Sequence, residues 1–121
     1  AIITCIENEH HQLGTKMISY LLELWGIQAI HLGADVPRTD LMILTKTEKP
    51  DFIMFSITIY SNMPIFIETA KQLYSISPES EIIAGGQAFY NMQSRLNLPR
   101  NAKIFKTLTN LKNYIDLRLD K

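Results

Sequence analysis

A histidine with suggestive neighbours lies near the start of the chain, in the polar segment that follows the first apolar run. Glu9 precedes His11 by two residues, and Gly14 follows it by three, where a helical pattern begins. A carboxylate and a glycine at this spacing can hold an imidazole out of the fold towards a metal, and neutral imidazole is a common metal ligand. The alternative is a surface loop without special chemistry. The rest of the chain is then the scaffold for His11.

Strand-like and helical segments alternate along the scaffold. Short apolar runs rich in β-branched residues predict five strands, at 1–6, 27–32, 51–57, 81–84 and 103–105. Helical patterns follow each of them, at about 13–25, 39–47, 62–77, 88–96 and 108–117. In the first helix, Leu13, Met17, Leu21 and Leu24 recur as one apolar face. Five alternations predict one α/β domain with a parallel sheet and helices on both faces.

In such a sheet, ligands bind beyond the carboxyl ends of the strands. The loop after the first predicted strand carries Glu9 and His11, and the loop after the second carries Gly33-Ala34-Asp35. The third and fourth strands lead into Ser56-Ile57-Thr58 and Gly85-Gly86-Gln87. We therefore expect all four loops to gather at one edge of the sheet.

The composition excludes several classes of protein. Twelve basic and twelve acidic residues cancel, so the chain lacks the basic surface that binding nucleic acid or anionic lipid unaided requires. The single Cys5 lies in an apolar run, which predicts a buried thiol in a reducing compartment. No apolar stretch approaches the roughly 18 residues of a membrane span. These features predict a cytoplasmic protein, and the start on a strand-like run predicts a domain that lacks an N-terminal part.

Familiar sites of α/β domains are also disfavoured. Ser56 stands where a phosphate-accepting receiver domain needs an aspartate, and neither a dinucleotide fingerprint nor a P-loop is present. Glu9, His10 and His11 are too crowded in sequence to form a closed tetrahedral zinc site. Ser56 lacks the nucleophile elbow that a hydrolase of this fold would carry.

The motifs at the predicted edge have a counterpart in a known family. Glu9-x-His11-x-x-Gly14, Ser56-x-Thr58 and Gly85-Gly86 resemble the D-x-H-x-x-G, S-x-L and G-G signature of cobalamin-binding domains, which have a flavodoxin-like fold. Glu replaces the usual Asp, and Thr replaces the usual Leu. The Glu form, with Leu32–Pro37 and Gly85-Gly86-Gln87, is most similar to the sensory domains of light-responsive MerR-type transcription regulators.

The resemblance implies a role for each residue. His11 would be the lower axial ligand of cobalt, displacing the dimethylbenzimidazole base, and Glu9 would accept the other N–H of the imidazole. Ser56 would hydrogen-bond the displaced base. Thr58, in the same motif as Ser56, and Gln87, directly after Gly85-Gly86, would also belong to the cofactor site. Gly14, Gly85 and Gly86 would leave room for the corrin or the nucleotide tail.

Three functions follow from the resemblance. The domain would be a sensory module that binds adenosylcobalamin or methylcobalamin and controls a transcription regulator, a corrinoid carrier for a methyltransferase or mutase, or a relative that has lost cobalamin. It would contact DNA only through the missing N-terminal part, could form homo-oligomers, and would not itself be an enzyme.

Overall fold

Five short parallel strands form the centre of the computed structural model, which describes residues 1–6, 12–90 and 96–119. The strands are β1 (Ile2–Thr4), β2 (Ile30–His31), β3 (Phe52–Ser56), β4 (Glu81–Gly85) and β5 (Ala102–Ile104). The helices are α1 (Leu13–Leu24), α2 (Arg38–Glu48), α3 (Met63–Ile76) and α4 (Leu108–Leu119). Two 3₁₀ turns, Tyr60–Asn62 and Gln87–Phe89, follow β3 and β4. The second turn lies at the start of the predicted helix 88–96, of which 91–95 are outside the described residues.

The strand order is β2-β1-β3-β4-β5, and every pairing is parallel. This is the flavodoxin-like arrangement, as predicted. The chain leaves β1 towards β2 on one side and returns to β3 on the other, so the order reverses between β1 and β3. The carboxyl ends of these two strands therefore border the crevice in which ligands of this architecture bind.

Both faces of the sheet are buried at its centre, which explains why β3 is apolar at four successive positions rather than alternating. Ile53 and Phe55 belong to the core cluster that contains Phe66 and Leu73 of α3. Phe52 and Met54 belong to a second cluster with Leu22 of α1 and with Leu111 and Ile115 of α4. Successive residues of a strand point to opposite faces, so β3 supplies both clusters. Helices α2 and α3 thus cover one face, and α1 and α4 cover the other.

Helix α1 turns a different face inward from the one predicted. Met17 and Leu24 are 48% and 62% exposed, whereas Leu22 is fully buried and Ile18 and Trp25 pack on the second cluster. The predicted inward face was wrong for Met17 and Leu24, and the side chain of Leu13 is outside the described part of the chain. The helix carries two overlapping apolar series, and periodicity alone does not show which of them meets the sheet.

Two remaining expectations concern burial and membranes. Cys5 is fully buried, as predicted, with its Sγ 3.9 Å from the Thr15 hydroxyl. Among the helices of the described ranges, none has the length and apolar character that crossing a bilayer requires.

Candidate functional site

Backbone hydrogen bonds join the loops at the carboxyl edge of the sheet. The Cys5 N–H donates to Gly33 O over 3.1 Å, which ties the loop after β1 to the loop after β2. The Ile57 N–H donates to Gly85 O over 2.9 Å, and Ile57 O accepts from the Ala88 N–H over 3.0 Å. The loops after β3 and β4 therefore form one unit at this edge.

A cavity of about 440 Å³ lies between α1 and α4, over β3 and β4. Four of the predicted site residues line it, Gly14, Ser56, Gly85 and Gly86. The other lining residues are mostly apolar and come from both helices and from the strands: Met17, Ile18, Met54, Phe55, Ile83, Ala84, Tyr90, Phe105, Lys106, Thr107, Leu108 and Leu111. A cavity of this size with an apolar wall and a few polar groups is typical of a small-molecule site.

Gly14 allows α1 to begin directly against β3. A Cβ on Gly14 would lie 2.6 Å from Ser56 Oγ, closer than such atoms approach each other. Ser56 is paired in register with Gly85, so the hydroxyl stands at the cavity wall between the start of α1 and the end of β4. Any side chain at position 14 would displace either α1 or this hydroxyl.

Gly85 and Gly86 are required first by backbone packing. Gly86 has a φ of +121°, in the region that disfavours side chains, and a Cβ there would lie 2.5 Å from Ile57 O. A Cβ on Gly85 would lie 2.8 Å from Phe105 O. Both glycines line the cavity, but the atoms that a side chain would strike belong to neighbouring backbone. The lack of a side chain at these two positions therefore lets the neighbouring loops pack together and also keeps the cavity open.

Two further predicted site residues, Thr58 and Gln87, are not among the described residues that line this cavity. Thr58 is half-buried in the loop after β3, and Gln87 is exposed at the start of the second 3₁₀ turn. Glu9 and His11 are outside the described residues, so ligation by His11 stays a prediction.

The start of α1 is fixed by a short hydrogen-bond chain that ends one residue after His11. The Thr15 hydroxyl donates to Gln12 O over 2.9 Å, and His31 Nε2 lies 3.0 Å from the same hydroxyl oxygen. Because that hydroxyl has one proton, already donated to Gln12, His31 must donate from Nε2. Burial, and then the positive charge of Lys16, lower the pKa of His31 from its ordinary value of 6.5. The neutral ring with its proton on Nε2 is thus the form that this environment favours.

The loop after β5 also borders the cavity, although none of its residues was among the predicted site residues. Lys106, Thr107 and Leu108 line the cavity, and the Thr107 hydroxyl caps α4 by accepting the Asn110 N–H over 3.1 Å. Lys106 is the one charged residue among the described lining residues. Loops that follow parallel strands lie at the carboxyl edge of the sheet, and this holds for the fifth strand as for the first four. The same rule could therefore have predicted that the loop after β5 borders the site.

The fold and cavity define a small-molecule-binding domain of the flavodoxin-like class, and comparison with known proteins specifies it. The sequence model of the B12 binding domain matches residues 1–105. The chain belongs to this family, and cobalamin is its cofactor.

Individual relatives agree with this assignment. Trimethylamine corrinoid protein 1 of Methanosarcina acetivorans is 29% identical over 72 residues, which cover 60% of this chain and 33% of that protein. Among solved structures, a cobalamin-binding protein from Desulfitobacterium hafniense DCB-2 has a TM-score of 0.74 at 22% identity, covering 98% of this chain and 58% of that one. The methanol:cobalamin methyltransferase complex MtaBC from Methanosarcina barkeri has a TM-score of 0.82 at 20% identity, covering 98% and 46% respectively. The chain therefore spans little more than half of these relatives, or less.

The described residues fit a cobalamin tail. The nucleotide of cobalamin combines a flat apolar heterocycle with a ribose and a phosphodiester. The cavity offers an apolar wall for the first, and the Ser56 hydroxyl and the Lys106 ammonium for polar and anionic atoms. Ser56 and Gly85, which the resemblance assigned to the tail, both line this cavity.

Proposed function

We propose that this domain binds cobalamin with its dimethylbenzimidazole base detached from cobalt, the nucleotide tail in the cavity between α1 and α4, and His11 as the lower ligand. The observation that supports this is the cavity itself, which is lined by Gly14 at the start of α1 and extends to Met54 and Ile83 on the sheet. In the sequence, Gly14 follows the predicted cobalt ligand His11 by three residues.

Different residues around the cavity would bind different parts of the nucleotide tail. The apolar wall excludes water from the heterocycle, Ser56 can hydrogen-bond a ring nitrogen, and Lys106 can meet the phosphodiester. Glu9 would accept the free N–H of His11 and hold the ring in one tautomer. When bound, cobalamin supplies a cobalt that carries an exchangeable upper ligand. We assign no catalytic residue to the domain, which presents the cofactor and is not an enzyme by itself.

Of the biological roles that such a domain can have, we propose that of a corrinoid carrier, which presents cobalt to a methyltransferase. The support is the 29% identity to a protein named as a trimethylamine corrinoid protein, over 60% of this chain. The matching segment includes only a third of that relative, so its partners do not transfer automatically to this chain.

The second candidate role is that of a sensory domain in a light-responsive transcription regulator. Its support is in the sequence, where Glu9 replaces the usual Asp and Leu32–Pro37 matches that group. The structure gives this segment a defined shape, with positive φ at Gly33 and Asp35. Residues upstream of this domain would supply the DNA contact in such a protein.

Filling the cavity tests the proposed tail site. Ile18 lines the cavity from α1, so Ile18→Trp should occupy the space that the nucleotide needs. We expect cobalamin affinity, measured by absorption titration, to fall by at least tenfold, whereas cobinamide, which lacks the nucleotide, should bind as it does to the parent. Ile43→Trp, at an exposed position on α2, is the matched control and should bind both corrinoids normally.

Two results would contradict the tail site. Equal cobalamin affinity of folded Ile18→Trp would show that the cavity does not receive the tail. Equal loss of cobalamin and cobinamide would show that the substitution acts on the corrin side.

A further inference from the structure

A second apolar stripe on α1 faces away from the sheet. Met17, Tyr20 and Leu24 follow each other at spacings of three and four, and Tyr20 is 64% exposed. With Met17 and Leu24 also largely exposed, the three side chains form one line along the helix. This spacing is typical of the seam of a helix pair.

Two opposite charges flank the stripe on the same side. Lys16 and Glu23 are both exposed, and each directly precedes an apolar member of the stripe, Met17 and Leu24 respectively. They are seven residues apart, which is about two helical turns, so they occupy equivalent positions on the same side of the helix. They are therefore at opposite ends of one edge of the stripe.

We propose that a second copy of this chain packs on this stripe, with the two α1 helices antiparallel about a twofold axis near Tyr20. The charges select this arrangement. In an antiparallel pair, Lys16 of each copy faces Glu23 of the other, which gives two symmetric ion pairs. In a parallel pair, the two copies of each charge lie on opposite sides of the seam, so Lys16 would face Leu21 of the other copy and form no ion pair.

The size of the stripe sets the strength of the contact. Twelve residues of helix span about 18 Å, so α1 alone forms a small interface and the dimer dissociates readily on dilution. The stripe is outside the proposed nucleotide site except for Met17, which also borders the cavity. The test therefore leaves Met17 unchanged and is made without cofactor.

Charge reversal tests both the interface and its orientation. Sedimentation equilibrium of the full chain, without cofactor, should give a concentration-dependent monomer–dimer equilibrium. Lys16→Glu and Glu23→Lys should each raise the dissociation constant roughly tenfold, because each converts both ion pairs to like-charge contacts. The double variant Lys16→Glu/Glu23→Lys restores both pairs with their polarity exchanged and should return the constant to near the parent value. Tyr20→Glu, at the centre, should abolish the dimer.

Lys46→Glu, an exposed lysine on α2, is the matched control and should leave the equilibrium unchanged. A parent chain that is monomeric up to about 1 mM overturns the proposal. So does a dimer whose constant is insensitive to the reversals at positions 16 and 23, and a double variant as weak as the single variants would overturn the antiparallel orientation.

Discussion

At the scale of single residues, the cobalt-ligand prediction separates two adjacent histidines. His11→Ala should remove the imidazole-nitrogen coupling from the electron paramagnetic resonance spectrum of the cob(II)alamin form, because the spacing to Glu9 and Gly14 selects this ring. His10→Ala is the matched control and should keep the coupling. Coupling that persists in His11→Ala would remove this residue from the cobalt site.

His31 should make the stability of the domain depend on pH. Its pKa is lower in the folded chain than the ordinary value of 6.5, first through burial and then through Lys16. As the pH falls below about 6.5, the unfolded chain takes up the proton first, so the free energy of unfolding decreases until the pH passes the folded pKa. At higher pH the ring is neutral in both states and this penalty is absent.

His31→Gln should reduce that pH dependence while keeping an N–H donor near Thr15. Urea unfolding at about pH 7.5 and about pH 5.5 measures the change. The parent should lose more stability between these two values than the variant does. An equal loss in both would show that other groups, and not His31, cause it.

Residue types at the site were more predictable than their contacts. Gly14, Ser56 and Gly85 were selected by their positions after predicted strands and by the resemblance, and they line one cavity because the loops after parallel strands meet at the same edge. The sequence did not show that Gly86 packs on Ile57 O, since a positive φ is a property of the folded backbone. Nor did it show the link from His31 through Thr15 to Gln12, which joins residues far apart in the chain.

At the scale of elements, α4 is held to the sheet at the end remote from the cavity. The Tyr114 hydroxyl donates to Glu81 Oε1 at the start of β4, and Arg118 Nε donates to Oε2 of the same carboxylate over 2.6 Å. Burial, and then the hydrogen bond to Glu81, raise the pKa of Tyr114 to about 12. The neutral phenol is favoured by folding, so its contribution is complete below about pH 10 and is lost as the pH rises through about 12.

Tyr114→Phe should therefore destabilise the domain by about 1 kcal/mol at neutral pH. This is the value of a hydrogen bond to a carboxylate, reduced because the contact is partly exposed to solvent. Urea unfolding provides the measurement. Tyr74→Phe on α3 is the matched control and should change the free energy of unfolding less. If the two variants are equally stable, the Tyr114–Glu81 contact does not secure α4.

Element types were predicted better than element faces. The patterns at Phe52–Ser56 and Glu81–Gly85 gave both long strands nearly to the residue, since central strands of a parallel sheet are apolar on both sides. The run 27–32 predicted a longer strand than Ile30–His31, because an edge strand pairs only where its single neighbour, β1, reaches it. On α1, the helix face that periodicity assigned to the core includes Met17 and Leu24, which are exposed.

At the scale of the whole molecule, the two proposed roles differ in their response to light. A sensory protein that uses adenosylcobalamin should change its oligomeric state when illumination removes the upper ligand, since a ligand shifts an equilibrium only by binding one state better. A corrinoid carrier should lose the ligand without changing its assembly. We expect the carrier result for this chain.

Size-exclusion chromatography of the chain with adenosylcobalamin, in the dark and after illumination, measures the difference. The double variant Lys16→Glu/Tyr20→Glu serves as a control, because it removes the proposed α1 contact from the comparison. A light-dependent change in elution that persists in this variant would favour the sensory role over the carrier.

The cavity between α1 and α4 also implies a trade-off between stability and function. Side chains around a cavity give up packing contacts that a filled core would have, so the unliganded fold is less stable than its composition allows. Ile18→Trp should then raise the free energy of unfolding of the cofactor-free domain by about 1 kcal/mol, seen as a higher melting temperature. The parent recovers stability only by binding, about 2.7 kcal/mol at a cobalamin concentration of a hundred times Kd. A lower melting temperature for Ile18→Trp would show that the wall is already closely packed. Selection for stability alone would favour larger side chains that fill this cavity. The open cavity therefore lowers the free energy of unfolding of the cofactor-free domain in exchange for room for the ligand.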